Sequence, residues 1–288
     1  MTHQPRYILS IQSHVAMGHV GNAAAVFPLQ RLGFEVLAVH TVQFSNHTGY
    51  GQYRGQVFAA EHIRDVLAGL HERGALGQVA AVLSGYLGEA EIGAQILQAV
   101  NEIRQGNPSV RYLCDPVIGD VGRGVFVNPA IPEFMRSQAI SCADIITPNQ
   151  FEMELLTGSR PASVKEAVSL ARQLRRRGPE TVVITSLATA DIPDEQLGTL
   201  AVDGKGAWLV LTPRLDLHPM PNGMGDVFSA TLLGRLLETE NLADALSLST
   251  STLYNLVKAT RPGSRDLPLV LAQAQLVEPN PMFLAEPV

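Results

Sequence analysis

Residues 164–185 read VKEAVSLARQLRRRGPETVVIT. Val164 to Arg177 carries apolar residues at helical spacing, Gly178 follows as a C-cap glycine, and Thr181 to Thr185 is a short β-branched run. A helix, a glycine stop and a buried strand in that order form the repeating unit of an α/β fold with a mainly parallel central sheet. Working outward, the same alternation recurs. Strands are expected at Tyr7 to Gln12, Glu35 to Val42, Val79 to Leu83, Arg111 to Cys114 and Asp144 to Thr147. Helical spacing falls on Asn22 to Leu32, which Gly33 follows as a C-cap, and on His62 to His71 and Ile92 to Arg104.

Beyond Thr185 the pattern changes. Leu197 to Val202 and Ala207 to Leu211 alternate around Asp203-Gly204-Lys205-Gly206, which reads as an antiparallel hairpin at the sheet edge. Gly225 to Leu237 and Leu242 to Thr260 read as two long helices, the second broken by Pro262 and Gly263. There is no internal repeat and no linker that forces a boundary, so residues 1–288 read as a single domain.

Composition narrows the function classes. The net charge of −6, from 21 basic and 27 acidic residues, gives no general field for a polyanion such as nucleic acid. The one basic cluster, Arg172 with Arg175 to Arg177, suits a helix C-terminus. No apolar run approaches a membrane span, and Met1 to Arg6 lacks the order of a signal peptide, so a cytoplasmic protein is expected. Cys114 and Cys142 have no metal-ligand spacing and read as reduced thiols.

The sharpest local signal is Asn222-Gly223-Met224-Gly225-Asp226 running directly into an apolar helical pattern. Two glycines before a helix let bare amides close around an anion, and the helix N-terminus adds partial positive charge. Asp226 in the first turn would then stand beside the attacking group, the layout a kinase needs. The same residues also fit a plain turn with an acidic helix start, and the dipole is expected to lower the Asp226 pKa.

A second constellation lies at successive strand ends, Asp115 to Asp120 and Thr147 to Glu152. Strand ends of a parallel sheet converge on one crevice, so Asp115, Asp120, Asn149 and Glu152 would offer oxygens to a hard cation such as magnesium, with nucleotide phosphates completing the shell. Alternatively, Asp115-Pro116 is an ordinary strand-ending turn and Asn149 an N-cap. A third region, Ser10 to Asn22, places Ser13 at the crevice mouth. Thr41 to Gly51 mixes polar, aromatic and glycine residues too irregularly for core and suits a movable flap. His14, His19 and His47 read more readily as structural hydrogen-bonders than as catalysts.

Together these stretches, with Ser84-Gly85-Tyr86, resemble the pyridoxal kinases of the ribokinase-like superfamily, from about Tyr7 to the helix after Asp226. The resemblance implies a ribokinase-like three-layer α/β sandwich with a small flap over the active site. It implies that Ser13, Thr48, Gly49 and Tyr86 contact a pyridine substrate, and that Val20, Val42 and Phe44 wall it. Asp226 would take the proton of the 5′-hydroxymethyl group, and Gly223, Met224 and Gly225 would form the anion hole. Asp115, Asp120, Thr147, Asn149 and Glu152 correspond to nucleotide and metal positions. Thr185 and Ser186, with Gly223, correspond to contacts with the phosphates of ATP. The family implies a homodimer using ATP with magnesium, often helped by a monovalent cation such as potassium.

Some features depart from the family. Thr185 stands where some bacterial relatives carry lysine, and Leu215 to Pro221 is short, leaving Arg214 as the lid candidate over the nucleotide. Related hydroxymethylpyrimidine kinases often carry a cysteine beside the anion hole, and this chain has none there. That substrate and a non-catalytic B6-vitamer-binding role are the alternatives. A nicotinamide-dependent oxidoreductase is disfavoured because no glycine-rich dinucleotide fingerprint follows the first strand.

Overall fold

A computed structural model describes residues 6–288; the expectation for the segment from Met1 falls almost wholly outside the described residues. In chain order the first half comprises β1 (Tyr7–Met17), α1 (Asn22–Arg31), β2 (Glu35–Asn46), β3 (Gly55–Val57), α2 (Ala60–Glu72), β4 (Val79–Ser84), α3 (Ala90–Gly106), β5 (Arg111–Cys114), β6 (Gly119–Asp120), β7 (Gly124–Val125) and α4 (Ile131–Phe134). The second half comprises α5 (Ile140–Cys142), β8 (Ile145–Ile146), α6 (Gln150–Thr157), α7 (Val164–Arg175), β9 (Thr181–Leu187), β10 (Gln196–Val202), β11 (Ala207–Pro213), α8 (Met224–Thr239), α9 (Leu242–Lys258), α10 (Ala274–Val277) and β12 (Glu286–Pro287).

Ten strands form one sheet in the order β12-β11-β10-β9-β8-β5-β4-β1-β2-β3. The six central strands from β9 to β2 run parallel, while β3 at one end and β10, β11 and β12 at the other pair antiparallel. Helices cover both faces, giving three layers. On one face Ile63 and Leu67 of α2, Ile92 and Ile96 of α3, Met153 of α6 and Ala171 and Leu174 of α7 pack against Leu9, Val82 and Ile184. On the other, Leu29 of α1, Phe228 and Leu232 of α8 and Leu246 of α9 pack against Ile8, Leu83, Leu113 and Val183. Central strands are therefore apolar on both sides, which is why they read as short continuous runs.

The sequence-based elements are reproduced, with instructive differences at their ends. β1 runs on to Met17 and β2 to Asn46, through residues expected to have left the sheet. The first half of the expected Thr41-to-Gly51 flap is thus strand, with Thr41 and Val42 fully buried. Pairing of Val42 to Phe44 with β3 holds it there, and only the turn at Thr48–Tyr50 and the following residues stand clear. The edge hairpin β10–β11 is itself covered at Trp208 and Leu209 by β12. Cys114 and Cys142 are free thiols. Among the described residues no helix is long and apolar enough to cross a membrane.

Candidate active site

The parallel strands end on one side of the sheet, and there α8 begins. Gly223 precedes it in the left-handed region, φ 78°, and a Cβ at this position would run into the His19 carbonyl oxygen. Only glycine meets both demands. The first helical bond runs from the Val227 amide to the Gly223 carbonyl at 3.0 Å, and no side chain caps the helix start. The amides of the first turn therefore point outward without an internal acceptor, an anion-binding arrangement.

The Asp226 carboxylate accepts the Gly21 amide at 2.8 Å. Burial raises its pKa, opposed by that hydrogen bond. This corrects the expectation of a lowered value: the side chain turns into the crevice rather than to solvent, and desolvation outweighs the favourable backbone. A carboxylate so shifted is the better proton acceptor.

One turn further along α8, Ser229 donates to Asp115 Oδ2 at 3.2 Å and lies 2.9 Å from the Thr147 hydroxyl. Asp115, at the end of β5, is 6% exposed. Burial foremost, then the charges of Glu152 and Asp226, pushes its pKa up. The Asp115 carboxylate also faces Gly225, where an added Cβ would sit 3.6 Å from Oδ2.

Asn149 and Glu152 form a capping box at the start of α6, with 2.9 Å bonds in both directions. Glu152 also accepts the amides of Ile118 at 2.8 Å and Gly119 at 3.4 Å, and Asn149 Nδ2 donates to the Gly119 carbonyl at 2.8 Å. The N-cap alternative for Asn149 is therefore correct. Burial brings the Glu152 pKa to about 7 despite its three amide donors. Asp115, Asp120 and Glu152, expected to offer oxygens to a cation whose shell phosphates complete, do not by themselves make a closed ligand set. Glu152 has committed its oxygens to backbone amides, exposed Asp120 accepts the Val121 amide at 2.7 Å, and no group of three His, Cys, Asp or Glu among the described residues sits close enough to hold a metal ion. Buried Asp115 and Glu152 do gather carboxyl oxygens at the strand ends, and their raised pKa values reflect charge that lacks a nearby cation. That setting fits a hard cation held mainly by phosphate oxygens and water.

Two cavities meet at this point. The first, about 420 Å³, is lined by Ser13, Val20, Val42, Phe44, Thr48 and Tyr86, and also by Asp115, Thr147, Glu152, Gly223 and Asp226. Six residues expected around a small aromatic ligand thus come together from β1, β2 and the segments following them and β4. Gly49 does not line this cavity; its carbonyl accepts Arg265 Nη1 at 2.8 Å instead. The second, about 690 Å³, takes in Ser186 and Arg214 and continues between Leu215, Met220, Leu253, Tyr254 and Val257. Asp120, Asn149, Thr185, Met224 and Gly225 line both. Ser186 holds a left-handed backbone, φ 53°, strain of the kind that clusters at ligand sites. Arg214 is anchored by Nε to the Asp194 carbonyl at 3.0 Å.

Several lining residues escaped the sequence reading. His47 Nδ1 accepts the Gly49 amide at 3.1 Å, the structural role expected of it, yet the ring also lines the first cavity. Burial and then the charge of Arg123 lower its pKa, so the ring is neutral near pH 7. Arg123 itself, with Phe126, reaches the cavity from the β6–β7 hairpin; its flanking Gly122 and Gly124 were the available signal. Leu253, Tyr254 and Val257 were hidden in the apolar pattern of α9, which serves core and cavity alike.

The phosphomethylpyrimidine kinase family model matches residues 35–269. A pyridoxal kinase PdxY of Deinococcus radiodurans is 52% identical, over 99% of this chain and 97% of that protein. A pyridoxal kinase PdxY of Rubrobacter xylanophilus is also 52% identical, over 96% and 95%. The structure of pyridoxal kinase from Leishmania donovani in complex with ADP and pyridoxamine superposes with a TM-score of 0.89 at 32% identity, covering 98% of this chain and 99% of that one.

Proposed function

The chain belongs to the pyridoxal kinase family, and from that premise we propose that it transfers the γ-phosphoryl group of ATP to the 5′-hydroxymethyl group of pyridoxal, with pyridoxine and pyridoxamine as further acceptors. The observation that carries this reading is the meeting of two cavities at the start of α8, where free amides and the half-buried Asp226 carboxylate stand together. A donor nucleotide in the second cavity and an alcohol in the first would face each other across Met224 and Gly225.

In this reading the vitamer ring lies against Val20, Val42 and Phe44, with Ser13, Thr48 and Tyr86 bonding its polar edge. Asp226, held by the Gly21 amide, accepts the alcohol proton as the oxygen attacks. The loose transition state asks mainly for alignment and for donors to the equatorial oxygens; the amides of Met224 and Gly225 supply the latter without reorganisation. Thr185 and Ser186 bind the nucleotide phosphates, and Tyr254 with its apolar neighbours takes the base. Asp115 and Glu152 attract the cation, and magnesium is the ion that suits oxygen ligands shared with phosphates; when bound it neutralises charge between the phosphates. Potassium as a second ion, a homodimeric assembly and a cytoplasmic setting accompany this reading on the family resemblance.

Hydroxymethylpyrimidine is kept as the second acceptor because a substituted pyrimidine of that kind is named in the phosphomethylpyrimidine kinase family model that matches the chain. A vitamer-binding protein without turnover is disfavoured, because base and anion-binding turn are both present. ADP release measured side by side with pyridoxal, pyridoxine, pyridoxamine and hydroxymethylpyrimidine separates the readings. Pyridoxal should give the highest kcat/KM. Preference for hydroxymethylpyrimidine would reassign the substrate, and no release with any of them would remove the kinase reading.

A further inference from the structure

The turn after α9 returns the chain to the site and touches three of its parts at once. Asn222, just before the anion-binding turn, donates its amide at 2.8 Å and its side-chain nitrogen at 3.2 Å to the Arg265 carbonyl. The Asp266 carboxylate accepts the His19 amide at 3.1 Å, and His19 Nδ1 lies 2.8 Å from the Leu267 carbonyl. Arg265 Nη1 donates to the Gly49 carbonyl at 2.8 Å, and its guanidinium lies 5.6 Å from the centre of the Tyr50 ring. The Tyr50 hydroxyl is buried without a well-aligned partner and faces Asp266 and Asn222. Gly18 is required beside this strap, since its φ is 100° and a Cβ would collide with the Asp266 carboxylate.

Two residues after His19, the Gly21 amide holds Asp226, and the His19 carbonyl is the atom that Gly223 must clear. Whatever fixes His19 therefore fixes both the carboxylate and the anion-binding turn. Arg265, in turn, ties down the segment that carries Thr48 and His47 to the first cavity.

We propose that Arg265 and Asp266 are positioning residues for the transfer: Asp266 sets the His19–Gly21 loop that aligns Asp226, and Arg265 sets the Thr48–Tyr50 turn that closes on the alcohol substrate. The inference rests on the kinase reading above. Neither side chain lines either cavity, so both act through others.

The test is steady-state kinetics of the full chain with pyridoxal and ATP, alongside thermal unfolding. Wild-type turnover comes first, and its absence would sink the kinase reading rather than the strap. With turnover established, Arg265→Met should raise KM for pyridoxal about tenfold, the loss expected of a charged hydrogen bond, with KM for ATP unchanged. Arg265→Lys should recover most of it, because an ammonium still reaches the Gly49 carbonyl. Asp266→Ala should lower kcat about tenfold with the pyridoxal dissociation constant little altered. Asp266→Asn should restore kcat, since an amide oxygen still accepts the His19 amide. If Asp266→Ala fails to fold, Asp266→Ser, whose short side chain cannot reach the His19 amide, takes its place and should show the same loss of kcat, while the exposed Arg265 pair tests the other half independently. Unchanged kinetics, equal losses for both ligands, or failure of lysine and asparagine to rescue would each overturn the proposal.

Discussion

Ser229 stands one helical turn beyond Asp226, so its hydroxyl falls on the same side of α8 and reaches both Asp115 and Thr147. Its bond to Asp115 favours the charged carboxylate, which burial and two neighbouring carboxylates oppose. Ser229→Ala removes that support, raises the Asp115 pKa further, and should raise KM for magnesium-ATP about tenfold, a charged hydrogen bond being worth roughly 1.5–3 kcal/mol. KM for pyridoxal should stay unchanged, and an unaltered KM for ATP would break the link between Asp115 and the cation. Asp226 and Gly223 stood out in the sequence as a glycine pair before an acidic helix start, a pattern that fits a plain turn as well, and what singled it out was its company with the strand-end residues Asp115 and Thr147. Ser229 did not stand out, since it sits inside an apolar run and gains its meaning only from strands far away in sequence. The direction of the Asp226 pKa was misread for the same reason: the dipole is a local property, and burial belongs to the tertiary structure.

At the scale of elements, α7 and β9 appeared almost as their residues announce them, because helical period, glycine stop and β-branched run agree. The errors fell where a strand leaves the apolar core while keeping its partners. β1 carries Ser13 and His14 past the expected strand end at Gln12, and their polarity resembled a loop. Pairing with β2 as far as Asn46 keeps them extended. Gln12 belongs to a buried polar network with residues on either side, in which Gln12 donates to Ser10, Ser10 to the Asn22 side-chain oxygen, and Asn22 Nδ2 to the Val39 carbonyl at 2.9 Å. Satisfied polar groups of this kind imitate surface composition. The opposite confusion affected α6. Asn149 read equally as a cap residue and, with Glu152, as a cation-facing oxygen because both roles use the same residue types, and the paired 2.9 Å bonds show the capping role.

At the scale of the whole molecule, three carboxylates of ordinary intrinsic acidity are brought to one crevice and all have raised pKa values, Glu152 to about 7. Above the usual carboxylate range the folded chain then binds more protons than the unfolded chain at these sites, for Glu152 up to about pH 7, so their contribution to stability falls as pH rises through their folded pKa values. Magnesium with ADP binds the deprotonated forms and should restore it. The rise in melting temperature on adding both should accordingly be larger at pH 8 than at pH 5.5; an equal rise would mean that Asp115 and Glu152 do not face the cation. The sheet order and the meeting of the cavities were foreseeable only as a convergence of strand ends, because no local pattern says which strands are neighbours. The most direct measurement compares Asp226→Asn with wild type for turnover and for binding of each ligand. Loss of a positioned base predicts kcat lower by about a thousandfold with pyridoxal and ATP still bound. Turnover close to wild type would contradict the assignment of Asp226 and the mechanism built around the start of α8.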